Sequence, residues 1–152
     1  LRQRIEHNIA SNLSGHTALA AFHNKEALPT IYSVTDYAVA DTAAQAARQI
    51  LAHPMTELHN FAVIEPDNGL AAGSAALSKV IIHAVEGRPD NIVMRVQSSG
   101  QGLLVVTELI DHGWRYLIDG IPAEVTPVNA AFVGLQVPSG QHELVLQRTL
   151  ID

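Results

Sequence analysis

Gly113 to Gln147, GWRYLIDGIPAEVTPVNAAFVGLQVPSGQHELVLQ, decides the fold class, because strand and turn signals alternate along it without a gap. Trp114, Tyr116 and Ile118 fall on one face of an extended segment. Asp119-Gly120 then supplies the positive backbone angles of a tight hairpin. A returning strand is expected from Ile121 through Val125 to Val128. Asn129-Ala130 allows a second turn, Phe132 to Val137 makes a third strand, and Pro138-Ser139-Gly140 closes a further hairpin into His142 to Gln147. Read this way, the stretch is a four-stranded antiparallel meander.

The same texture extends upstream. Lys79 to Val85, Asn91 to Gln97 and Leu103 to Leu109 read as strands, with turns at Glu86 to Pro89 and Ser98 to Gly102. A spacing of about ten to twelve residues with a turn between strands is the signature of a sandwich. Leu103-Leu104-Val105-Val106 has no alternation, which predicts a central strand covered on both faces. Farther upstream, Thr30 to Val34 and Phe61 to Ile64 read as strands around one helix. Thr42 and Gln45 have capping-box spacing, Asp41 offers an alternative cap, and Ala43, Ala46, Ala47, Ile50 and Leu51 recur at helical spacing before Pro54 stops the run. Residues 1–14 carry a weak helical pattern, Thr17 to Phe22 reads as a first strand, and the Gly, Ala and Asn of residues 66–76 suggest a mobile loop.

The expected architecture is therefore mainly β: an antiparallel β-sandwich, jelly-roll or Ig-like, with one helix near 41–53 and a short N-terminal helix. A single domain over 1–152 is expected, made of an N-terminal arm and first strand (1–23), a strand-helix-strand segment (24–70) and a β-meander (77–150).

Composition narrows the function classes. Hydrophobic residues make up 47% of the chain and charged ones 16%, well outside the disordered class. The apolar runs are only a few residues long, whereas a membrane helix needs about 20. The chain opens at Leu1 without a basic-then-apolar leader and is read as an excised segment. Nine Lys plus Arg against fifteen Asp plus Glu give a net charge of -6. Nucleic acid is thus disfavoured as a partner, since neutralising phosphates takes clustered cations and only Arg2 and Arg4 lie close together. With no Cys, a disulfide framework and a thiolate metal site are excluded.

The motif spacing resembles a known family. Gly113-Trp114, Asp119-Gly120, Asn129 followed by Phe132, then Val137-Pro138, Gly140 and His142 look like the signature at the C-terminal end of bacterial YfhO-type integral membrane proteins. Asn24 to Ile31, the Ala-rich helix, Pro54 and the strand ending Val63-Ile64-Glu65 follow in that family's order, so the resemblance spans roughly Asn24 to Gln147. Asp111, His112, Thr30 and Arg148-Thr149 depart from it. The resemblance implies a soluble, non-catalytic β-rich domain on the extracytoplasmic side of the cell membrane. It would be attached to a many-spanning, glycosyltransferase-like protein that handles lipid-linked sugars. Its partners would be the membrane-embedded part of the same polypeptide and a cell-envelope glycan.

The chemistry-bearing residues leave alternatives open. Trp114 and Tyr116 are candidates for a sugar-stacking platform, as in a carbohydrate-binding module, against the plainer reading that Trp114 anchors the core. Asp111 and His112 are further ligand candidates, but adjacent residues of a strand point to opposite faces. Glu65, Glu108, Asp111 and Asp119 are the carboxylates a small glycan hydrolase would draw on. Gly113, Asp119, Gly120, Asn129, Phe132, Pro138, Gly140 and His142 are assigned to architecture. No catalytic residue, metal site or cofactor is expected: the His residues form no HxH or HExxH pattern, and neither GxSxG nor a phosphate loop occurs.

Overall fold

The computed structural model describes residues 27–54, 56–65, 76–109 and 113–149. The chain runs β1 (Ile31–Val34), β2 (Asp36–Val39), α1 (Ala43–Ala52), β3 (Phe61–Ile64), β4 (Val80–Arg88), β5 (Asn91–Ser98), β6 (Gly102–Leu109), β7 (Trp114–Ile118), β8 (Ile121–Pro122), β9 (Val125–Val128), β10 (Phe132–Val137) and β11 (Gly140–Arg148). It is mainly β in two sheets with one short helix, a β-sandwich-like arrangement as expected. Sheet A has the order β1-β6-β10-β9-β3-β2 and sheet B the order β4-β5-β11-β7-β8. The N-terminal helix, the strand at Thr17 to Phe22 and nearly all of the 66–76 loop lie outside the described residues.

Sheet A closes on itself. Its edge strands β1 and β2 are separated by Thr35 alone. Five interstrand steps of about 4.8 Å would put flat edges about 24 Å apart, but one intervening residue reaches at most about 7 Å. The sheet must therefore curl until both edges meet in one bent strand, paired with β6 through its first half and with β3 through its second. The bend is a bulge: the N–H groups of Thr35 and Asp36 both donate to the Asn60 carbonyl, at 3.2 and 3.1 Å. The extra residue resets the alternation, so that Tyr32 and Val34 before it and Tyr37 and Val39 after it face the same interior. That interior holds Leu103, Val105, Ile64, Val128 and Ala62, none exposed to solvent.

The outside of this roll carries the second core. Leu104 and Val106 of β6 and Val133, Leu135 and Val137 of β10 meet Met94, Val96, Leu144 and Leu146 of sheet B. Strand β6 is thus covered on both faces, with Leu103 to Val106 each at most 1% exposed, as its unbroken apolar run predicts. Ser33 Oγ ties the layers by accepting the Val80 N–H at 2.9 Å. Helix α1 lies on the same outer side, with Ala46 against Val63 and Ala40. Thr42 is its cap: its Oγ1 accepts the Gln45 N–H at 3.2 Å, and Gln45 Oε1 accepts from the backbone of Asp41 at 3.0 Å.

Three expectations are corrected in detail. The β2-α1-β3 crossover makes β2 and β3 parallel, so the sheets are not wholly antiparallel. The 113–147 stretch is not a meander. Strands β7, β8 and β11 belong to sheet B and β9 and β10 to sheet A, so the returning strand at Ile121 breaks near Ala123-Glu124 and changes layer. Pro138-Ser139-Gly140 carries the chain from β10 to β11 in the other sheet instead of closing a hairpin, and β11 inserts between β5 and β7.

Candidate functional site

A groove of about 610 Å3 with exposed polar chemistry lies on the outer face of sheet B. Alternation places it there: Met94 and Val96 of β5 and Leu144 of β11 point to the core, so Arg95, Gln97, Gln141 and Glu143 point outward. Register aligns them, with Gln97 opposite Gln141 and Arg95 opposite Glu143. On the neighbouring strand, Ile82 faces Val96 and Ala84 faces Arg95, so His83 is the extra residue of a bulge. Its Nε2 lies 3.1 Å from Gln97 Oε1. Arg95 Nη2 donates to Glu86 Oε1 at 3.2 Å. A smaller adjoining depression of about 160 Å3 lies among Ala84, Glu86, Val93, Arg95 and Glu143.

At the start of β11, His142 has the parity of Leu144, so its ring lies on the face opposite the outward Gln141 and Glu143. Its Nδ1 lies 2.7 Å from Asp119 Oδ2 and its Nε2 3.2 Å from the Ser139 carbonyl. Asp119 Oδ1 accepts the Glu143 N–H at 2.9 Å. The β7–β8 turn is thereby fastened to the start of β11. The carboxylate beside the ring, helped by the Ser139 carbonyl, raises the His142 pKa above its ordinary value. Hydrogen bonds from His142 and from the Glu143 backbone lower that of Asp119. Ser139, His142 and Asp119 are the residue types of a hydrolytic triad, but Nε2 addresses a backbone carbonyl, so no hydroxyl is activated.

The sequence candidates are placed as follows. Trp114 and Tyr116 turn inward against the sheet B core, so neither ring forms an exposed platform. The Arg148 guanidinium lies 5.9 Å from the Trp114 ring centroid. Asp111 and His112 lie outside the described residues. Gly113 is buried, and its carbonyl accepts from the Thr149 N–H at 2.7 Å. Asp119 and Gly120, at φ 53 and 80, form the two-residue hairpin turn. Asn129, at φ 52, turns β9 into β10. Its Oδ1 accepts the Val63 N–H at 2.8 Å, and its Nδ2 approaches the hydroxyl of Tyr32, whose pKa is pushed up by burial. Phe132 packs against the interior of the roll. Pro138 and Gly140 shape the crossing between sheets, and the His142 imidazole lies beside Gly140.

Of the hydrolase candidates, Glu65 follows β3 and Glu108 lies in β6, both in sheet A, whereas Asp119 is committed to His142. The two carboxylates that do share a depression, Glu86 and Glu143, bracket the cation Arg95 and are exposed. That is an ion-pairing environment, not the proton-sharing one a general acid requires. Among the described residues no group of three or more His, Asp or Glu converges as metal ligands. The groove residues His83, Arg95, Gln97, Gln141 and Glu143 were missed in the sequence. Their i, i+2 polar alternation within β5 and β11 was the available signal, and only the adjacency of these distant strands turns it into a site. No known protein family, no curated protein and no solved structure matches the chain.

Proposed function

We propose that this chain is a non-catalytic accessory domain that presents the outer face of sheet B to a partner. The setting is the extracytoplasmic side of a polytopic, glycosyltransferase-like membrane protein, as the resemblance to YfhO-type proteins implies. The observation that carries the non-catalytic part is the employment of the signature residues. Asp119, Gly120 and Asn129 hold turns, Trp114 and Phe132 fill cores, and His142 spends both ring nitrogens on a structural clamp. None addresses a space where a substrate bond could sit. No helix among the described residues is long and apolar enough to cross a membrane.

This chain brings no Cys of its own, so the setting is testable once any cysteine elsewhere in the parent protein is replaced by serine. A single cysteine at the exposed Glu124, introduced into the parent protein, should react with a membrane-impermeant maleimide in intact cells. Labelling only after lysis refutes the extracytoplasmic assignment. Turnover of an activated sugar or a glycoside by this chain alone refutes the non-catalytic one.

A further inference from the structure

Resting on that reading, we infer that the sheet B groove is a binding site for an uncharged, polyhydroxylated ligand, the chemistry of a neutral saccharide. Four features select this class. The first is location: β5 and β11 are each paired on both sides, so no backbone N–H or C=O is free at the centre of the groove to recognise a peptide strand. Recognition falls to side chains alone.

The second is the kind of polar atom on offer. Gln97 and Gln141 present two primary amides directly opposite one another, and His83 engages Gln97 through Oε1, leaving the Gln97 amide nitrogen free to donate. Beside them Arg95, opposite Glu143 in register, pairs with the Glu86 carboxylate at 3.2 Å. Amide, guanidinium-carboxylate pair and imidazole all offer donor and acceptor together. Vicinal hydroxyls, each donor and acceptor at once, complement such groups.

The third is charge balance. Arg95 is opposed by Glu143 and bonded to Glu86, so the groove lacks the surplus of cations that a phosphate or sulfate requires. Glu86 and Glu143 against the single Arg95 leave one carboxylate in excess, short of the several that would hold a polycation. The fourth is size: the groove, with Ala84 its smallest lining residue, holds about 610 Å3, within the range of small-ligand sites. The missing ingredient is an aromatic platform, because Trp114 and Tyr116 face the core. Affinity is accordingly low, with half-saturation near about 1 mM.

The test is a titration of the chain, followed by backbone amide NMR shifts, with cellotetraose, mannotetraose and chitotetraose, and with a galacturonic acid tetramer and tetralysine as charged controls. At least one neutral oligosaccharide should shift the amides of 83–84, 95–97 and 141–143 in a saturable way, and the charged controls should not. Gln141→Ala and Gln97→Ala each remove exposed hydrogen-bonding groups and should weaken binding about threefold to tenfold without moving the unfolding midpoint. Absence of shifts with every neutral probe, shifts centred on Trp114 instead, or equal response to a charged control each overturns the proposal. A null titration together with extracytoplasmic labelling and no turnover removes the ligand assignment alone. Turnover or cytoplasmic labelling removes the accessory reading on its own terms.

Discussion

Gly134 tests whether sheet A is rolled. It sits in the middle of β10, opposite Thr126 on β9 and Val105 on β6, with its hydrogen side toward the interior of the roll. A Cβ at this position would meet Val128 Cγ1 at 2.7 Å, Thr126 Cγ2 at 3.0 Å and Leu103 Cδ1 at 3.2 Å. None of these can yield cheaply. Val128 and Thr126 are β-branched with stiff χ1, Thr126 is further held by its hydroxyl donating to the Glu65 carbonyl at 2.9 Å, and Leu103 is wholly buried. Overpacking of this kind costs about 1–3 kcal/mol. Alanine recovers about 0.5–1 kcal/mol relative to glycine in a strand. Gly134→Ala should therefore destabilise by about 1–2 kcal/mol, and with a urea m-value near about 2 kcal/mol/M the midpoint falls by about 0.5–1 M. Equilibrium urea unfolding followed by Trp114 fluorescence and by circular dichroism reads this directly. If Gly134→Ala unfolds at the same or a higher urea concentration than the parent, the interior has room for a methyl group and the tight roll is wrong.

The His142–Asp119 clamp predicts a pH profile. A raised His142 pKa contributes stability that is complete below the ordinary histidine value of about 6.5 and fades as pH rises through the raised value. A lowered Asp119 pKa contributes above about 3.9 and fades as pH falls through the lowered value. The parent's advantage in Tm over Asp119→Asn should thus be greatest between about pH 4 and 6.5 and shrink toward pH 8.5; an advantage that grows with pH contradicts the clamp. Asn129→Ala should cost about 2–4 kcal/mol, because it strands the Val63 N–H and puts alanine at φ 52, while Asn129→Gly, relieved of the backbone term, should cost about 1–3 kcal/mol by urea unfolding. Thr42→Ala should remove about 1 kcal/mol of cap, seen as faster amide exchange confined to α1. Trp114 emission should be blue-shifted and indifferent to any oligosaccharide that shifts the groove amides, since the indole packs against the core.

Local chemistry in the sequence carried most of the element map. Asp119-Gly120 adopts the positive angles its residue types favour, Thr42 caps the helix that Pro54 follows, and the run Leu103 to Val106 is the doubly covered strand its lack of polar residues demands. What stayed hidden depends on partners far along the chain. Pro138-Ser139-Gly140 has the residues of a tight reversal, and those residues serve a hairpin or a change of layer equally well; only the pairing of β11 with β5 and β7 decides. Thr35-Asp36 hides a bulge because one extra residue shifts the apolar alternation from even to odd positions, which in one sequence reads as a strand ending. Trp114 has the same face as Tyr116 and Ile118 in the sequence, and the core lies on that face. The groove was illegible for the same reason as the layer change: Gln97 and Gln141 are neighbours only across the β5–β11 pairing.

The place of β11 has a consequence for how the molecule is made. It is the last of the described strands in chain order, yet it lies third of five in sheet B, with β5 on one flank and β7 on the other. Until residues 140–148 leave the ribosome, the β4–β5 and β7–β8 hairpins have nothing joining them, and each offers an open, partly apolar margin to other nascent chains. Closure of this kind makes loss of residues 140–148 far more damaging than their short length suggests. It also means that Gln141 and Glu143 meet β5 only when β11 pairs, so the groove exists only once that strand is in place.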